Sequence, residues 1–223
     1  CAGSFARRDV LSVRPVSGNL KLPNPMFETS CYDSGWVWYS FKCCAGDQPA
    51  SHATTGVANS DFVLYVTARP TSGNVLAWAL TCQSDQYSRP IAGHANFSPA
   101  RISTDPADKA TALSTAIHEI SHSLGFSSSH FPLFRKPGTL QKVDRQSDAV
   151  ATFTEFGKST TKIVMPKTVA AVKEHFGCTT WPNAGAELED GGSSGTAGSH
   201  LEKRLFANEF MTGTADPNSV YSA

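Results

Sequence analysis

Short apolar runs bounded by polar or turn-forming residues dominate the first hundred positions. Residues 11–22, 36–41, 61–68, 75–82 and 91–97 are each sized for a buried strand, and together they predict a mixed twisted sheet. Trp36, Trp38, Tyr39 and Phe41 read as core or lobe packing. Near residue 106 the rhythm changes from strand-like runs to a helical period. Leu113, Ile117, Ile120 and Leu124 predict a helix with one stripe packed inward. Asp105 before Pro106 makes an N-cap with proline at the first helical position, Asp108 adds charge to the first turn, and Gly125 ends the helix. Beyond Gly125 the chain is richer in Gly, Ser and Thr. There Val169, Val172 and Phe176 mark one further helix near 167–176. The expected architecture is α+β in two lobes around a cleft: residues 1–125, a sheet packed on the capped helix, and residues 126–223.

Composition narrows the class without naming it. The chain has 223 residues, 40% of them hydrophobic, enough to bury a sizeable core. Its 19 basic and 19 acidic side chains cancel, which gives no electrostatic reason to expect nucleic acid or a membrane surface as partner. No apolar run is long enough to span a bilayer. Six cysteines without a C-x-x-C pair point to disulfides in an oxidising compartment, and so to a secreted or extracellular cell-surface protein. Cys43 and Cys44 are adjacent and cannot comfortably bond each other. Asn96-Phe97-Ser98 is the single glycosylation sequon, in keeping with secretion.

The chemistry is concentrated at 118–122, which read H-E-I-S-H. On a helix this spacing sets His118 and His122 one turn apart on one face with Glu119 beside them, a geometry that binds zinc and supplies a base for hydrolysis. A catalytic zinc site typically takes three protein ligands, so the rest of the chain must supply one more. In the compact pattern H-E-x-x-H-x-x-G-x-x-H the third histidine falls where this chain has Ser128. Four candidates remain: His130, His175, His200 and, for a site of two histidines and a glutamate, Glu155. His175 falls within a helical stripe as a solvated helix residue. His130 is at the wrong step for the usual turn. His200 ends a Gly- and Ser-rich segment, 191–200, able to bend back onto a helix, and Met211 follows it in N-E-F-M-T-G.

These residues resemble a known family, the leishmanolysin-type metzincins, whose hallmark is H-E-x-x-H-x-x-G-F with the third histidine displaced far downstream and followed by a Met-turn. The likeness extends to DFVLYVT at 61–67, VLAWALTC at 75–82, PIAGH at 90–94, ELED at 187–190 with GSH at 198–200, and NEFM at 208–211. It runs from about residue 10 to the last residue. The resemblance implies a metzincin-type zinc protease core, in which His118, His122 and His200 bind one catalytic Zn2+, Glu119 is the catalytic base, and Met211 forms the Met-turn. It further implies a disulfide between Cys43 and Cys82, and a partner for Cys178 beyond the region present here. On this reading the chain is a processed or partial catalytic core, with any pro-segment or lipid anchor outside it, so that membrane association would arise only through such parts.

The activity implied is hydrolysis of peptide bonds in proteins or peptides. Three neutral imidazoles leave zinc its full charge, which lowers the pKa of water toward ~7, and Glu119 can take the proton and pass it to the leaving amine. By family resemblance, an extended substrate lies against a sheet edge, which we place at Ile91, Ala92, Gly93, His94 and Ala95. No tyrosine follows closely after Met211 to stabilise an oxyanion. Two other readings stand beside this one: a catalytically idle surface or matrix-interaction protein retaining the fold, and a hydrolase of a different bond. Retention of His118, Glu119, His122 and His200 favours an enzyme.

Overall fold

The protein is described by a computed structural model, which covers residues 9–13 as backbone, 19–22, 49–192 and 196–221. The aromatic group at Trp36, Trp38, Tyr39 and Phe41 lies outside the described residues. The chain divides into two compact units, Cys1–Gly125 and Phe126–Ala223, and combines helices and sheets in an α+β fold.

In the first unit the strands are β1 (Asp9–Val13), β2 (Asn19–Leu20), β3 (Val57–Ala58), β4 (Phe62–Thr67), β5 (Ala77–Ser84) and β6 (Pro90–Phe97). The main sheet has the order β1-β4-β6-β5; β4 and β6 are parallel and the other two pairings antiparallel. Apolar residues on both faces of β4 explain why all of it but the half-buried Val66 is buried. Val63 and Tyr65 join Leu22, Cys82 and Ala92 on one side, while Phe62 and Leu64 join Ala95 on the other. The short helix α1 (Ala50–Thr54) lies beside the first cluster, where its His52 Nδ1 is 2.8 Å from the Tyr65 hydroxyl.

The capped helix forms as its sequence predicts. Asp105 accepts a hydrogen bond from the Ala107 amide, Pro106–Asp108 makes one tight turn, and α2 (Lys109–Ser123) follows. Gly125, at φ +107°, ends it. The inward stripe is different from the expected one. Ile120 packs on the Phe62 and Leu64 cluster, but Leu113 and Leu124 are 57% and 53% exposed. The buried face instead carries Ser114, Thr115, Glu119, His122 and Ser123. Small side chains there allow a close approach to the sheet: a Cβ added at Gly93 would lie 2.7 Å from that of Ser123. The Thr81 hydroxyl donates to the Ser123 carbonyl at 3.0 Å, which pins the end of α2 to β5.

This sheet order corrects one expectation. Ile91 to Ala95 were expected at the edge, but they lie in β6, hydrogen-bonded to β4 on one side and β5 on the other. Ala92, Gly93, His94 and Ala95 are buried, so none can receive an added strand. Among the described residues the outer strand beside β6 is β5. Both runs are apolar, and periodicity does not encode lateral order. The parallel pairing of β4 with β6 places β6 inside, and β5 folds back outside it.

The second unit contains a hairpin that the sequence reading left undescribed, β7 (Val150–Glu155) and β8 (Lys158–Ile163), together with β9 (Ala186–Glu187). Phe156 and Gly157 form its two-residue turn, both at positive φ. The helix at 167–176 is α3 (Pro166–His175), and α4 (Lys203–Phe206) follows His200. Their common core is Phe131, Ile163, Val172, Ala186, Leu188, Leu201, Phe206 and Met211.

Candidate metal centre

One turn of α2 brings His118 and His122 together. Their Nε2 atoms are 3.0 Å apart and the rings meet edge to face, at 83°. Two ligands of one tetrahedral ion with bonds of ~2.0–2.1 Å would have their nitrogens about 3.3 Å apart, close to this separation. Glu119, between them in sequence, is 6% exposed, and its Oε2 has no hydrogen-bond partner among the described residues. Burial pushes its pKa up to about 8. A buried polar atom without a partner is costly in a folded protein. Two facing imidazole nitrogens and an unsatisfied carboxylate oxygen fit a divalent zinc ion and its associated water.

In the second unit His200 is buried and fixed on both sides by backbone pairing of its neighbour. Leu201 bridges Leu188 antiparallel and Thr212 parallel, and its amide donates to the Met211 carbonyl at 2.9 Å. The His200 carbonyl accepts from the Glu189 amide. Its Nδ1 lies 2.8 Å from the Thr196 carbonyl oxygen. A carbonyl can only accept, so Nδ1 carries the proton and Nε2 the lone pair, the tautomer of a metal-binding histidine whose other nitrogen is held by backbone. Burial lowers the His200 pKa, against the Thr196 hydrogen bond and the Glu189 charge, which raise it. The ring is thereby kept neutral, as ligation needs.

Met211 is 1% exposed, in a turn closed by Thr212, whose amide and hydroxyl both donate to the Glu209 carbonyl. The other candidates are differently placed. His175 is exposed on α3. Glu155 is paired with the fully buried Lys162, whose ammonium also donates to the Asn183 carbonyl and sits 4.6 Å from the Trp181 ring centroid. His130 has its Nδ1 3.3 Å from the Ser129 hydroxyl. The Lys162 cluster escaped the sequence reading because a lysine in a Thr-rich strand gives no sign of burial.

Two further sequence features are clarified. Asn96 is 1% exposed; its Oδ1 accepts from the Thr67 hydroxyl and the Arg69 amide, and its Nδ2 donates to the Arg69 carbonyl. A glycan on that nitrogen is incompatible with this packing. Cys82 is disulfide-bonded, and Cys43, its expected partner, lies outside the described residues. Cys178 is free and exposed. No helix among the described residues is long and apolar enough to cross a membrane.

Comparison with known proteins gives a consistent result. The family model described as Leishmanolysin matches residues 6–223. A leishmanolysin-like peptidase of Drosophila melanogaster is 39% identical over 199 residues, covering 75% of this chain and 29% of that protein. A leishmanolysin homolog of Crithidia fasciculata is 40% identical over 165 residues, covering 74% and 23%. Leishmanolysin of Leishmania donovani is 35% identical over 175 residues, covering 78% and 27%. The chain thus spans about a third or less of the length of these curated relatives.

Proposed function

Because the chain belongs to the leishmanolysin family, we propose that it carries the catalytic centre of a zinc-dependent metalloendopeptidase, with His118, His122 and His200 as ligands of one Zn2+ and Glu119 as general base. The observation that carries this reading is the arrangement on α2: two imidazole nitrogens 3.0 Å apart beside a buried carboxylate oxygen without a hydrogen-bond partner. Three features favour His200 as the third ligand. Its Nδ1 is held by the Thr196 carbonyl, its ring is kept neutral by burial, and Met211 follows in a buried turn.

Zinc bound by neutral imidazoles would acidify water toward ~7 and polarise a peptide carbonyl. Glu119 accepts the water proton and returns it to the departing amine. An extended peptide adds to β5 by main-chain hydrogen bonds. Two observations support β5 in this role: it is the outer strand beside β6 among the described residues, and Thr81 ties it to the end of α2. The disulfide at Cys82 supports a secreted or cell-surface location.

Digestion of a peptide library with and without chelator, read by mass spectrometry, tests the activity. Chelator-sensitive cleavage at internal peptide bonds is the expected result. Cleavage that survives removal of zinc would rule the mechanism out.

A further inference from the structure

Thr196 is enclosed by two glycines distant from each other in sequence. A Cβ added at Gly213 would lie 2.7 Å from Thr196 Cγ2, closer than real Cβ contacts come, whereas its next neighbours, His200 Cγ and Cβ, are at 3.7 and 4.0 Å. A Cβ added at Gly192 would lie 3.2 Å from Thr196 Cβ. Gly192 has a positive φ of +84°, which itself favours glycine, but Gly213 does not. The Thr196 methyl is therefore the obstacle to a side chain at 213. The same Thr196 presents its carbonyl to His200 Nδ1 at 2.8 Å.

We infer that Thr196 is a positioning residue for His200, and that Gly213 is the cleft into which its methyl must fit for its carbonyl to reach the imidazole. The inference rests on the reading of His200 as a zinc ligand. Once the methyl is displaced, the carbonyl moves off Nδ1, and the ring loses both its tautomer and its direction. Loss of such a supporting hydrogen bond typically weakens metal affinity by ~10–100-fold.

The test is zinc affinity of the holoprotein, measured by competition with a chelator, in wild type, Gly213→Ala and the double variant Thr196→Ser/Gly213→Ala. Serine keeps the carbonyl and the hydroxyl and removes only the methyl, so the Cβ introduced at position 213 meets nothing closer than 3.7 Å. Gly213→Ala should bind zinc ~10–100-fold more weakly, and the double variant should recover to within about threefold of wild type. Imidazole 15N spectra should show the Nδ1-protonated tautomer of His200 in wild type and the double variant but not in Gly213→Ala, a signature that a general packing role would not move. Unchanged affinity in Gly213→Ala, or no recovery in a folded double variant, overturns the inference while leaving the zinc reading intact. A folded wild type that binds no zinc overturns the zinc reading and, with it, this inference.

Discussion

The helix α2 and the segment around His200 present the same chemical group by opposite means. On α2, one helical turn sets the spacing of His118 and His122, and a conventional cap and a terminal glycine define the element. His200 belongs to no regular element. Single bridges from its neighbour to Leu188 and Thr212, and a carbonyl four residues upstream, hold it. A pair set by local geometry depends on few distant residues, whereas a side chain held by scattered contacts depends on each segment that meets it. Each region also has a glycine that clears space for it, Gly93 under Ser123 and Gly213 beside Thr196.

The largest expected effect falls on α2. Glu119→Gln keeps size and removes the base, and kcat/KM should fall by ~10²–10⁴ with zinc content retained. Peptide hydrolysis at the wild-type rate would exclude Glu119 from that role. Next comes the second unit, where Lys162→Met removes the cation that holds Glu155 and takes the donor from the Asn183 carbonyl, which should cost ~1–3 kcal/mol in urea unfolding. The hydrogen bond from Lys162 holds the Glu155 carboxyl below the usual carboxylate range. Between the folded and unfolded pKa values the unfolded chain binds more protons, so the pair's contribution is complete above the usual range and is lost as pH falls through the folded value. The gap between wild type and Lys162→Met should therefore narrow below pH ~4; a gap that is constant down to pH 3 would count against the ion pair.

A smaller effect distinguishes the two glycines. Gly93→Ala forces β6 and α2 apart and should cost ~1–3 kcal/mol of stability, yet change zinc affinity less than Gly213→Ala does, because the helix carries both of its imidazoles as a unit. Equal losses of affinity would erase the contrast. Smallest is Phe156→Asn. Phe156 is fully exposed in a turn at φ +51°, a conformation that asparagine adopts more readily than phenylalanine. Thermal unfolding should show a gain of ~0.5–1 kcal/mol, and a loss would mean that the ring makes contacts that this geometry does not show.

The same contrast explains what could be read from the sequence. The α2 cap, its length, the histidine pair and Glu119 were legible because each is encoded within a few residues. The strands 61–68, 75–82 and 91–97 were legible as runs, but their lateral order was not, since pairing across a parallel crossover leaves no mark on periodicity. Leu113 and Leu124 misled for a related reason: helical period marks a stripe, but the buried face carries the small residues Ser114 and Ser123, and the close approach at Gly93 requires a small residue at Ser123. The β7 and β8 hairpin was overlooked because its turn is Phe-Gly where Asn-Gly would have signalled it. His200 emerged from the residues only as one candidate of four, and it was the likeness to a family that singled it out.

The central claim, that a distant histidine completes the pair on α2, is tested most directly by zinc titration of wild type, His200→Ala and His130→Ala side by side. The account predicts one tightly bound zinc per chain in wild type and in His130→Ala, and its loss in a folded His200→Ala. Retention of zinc at wild-type affinity in His200→Ala, or its loss in His130→Ala instead, would contradict it.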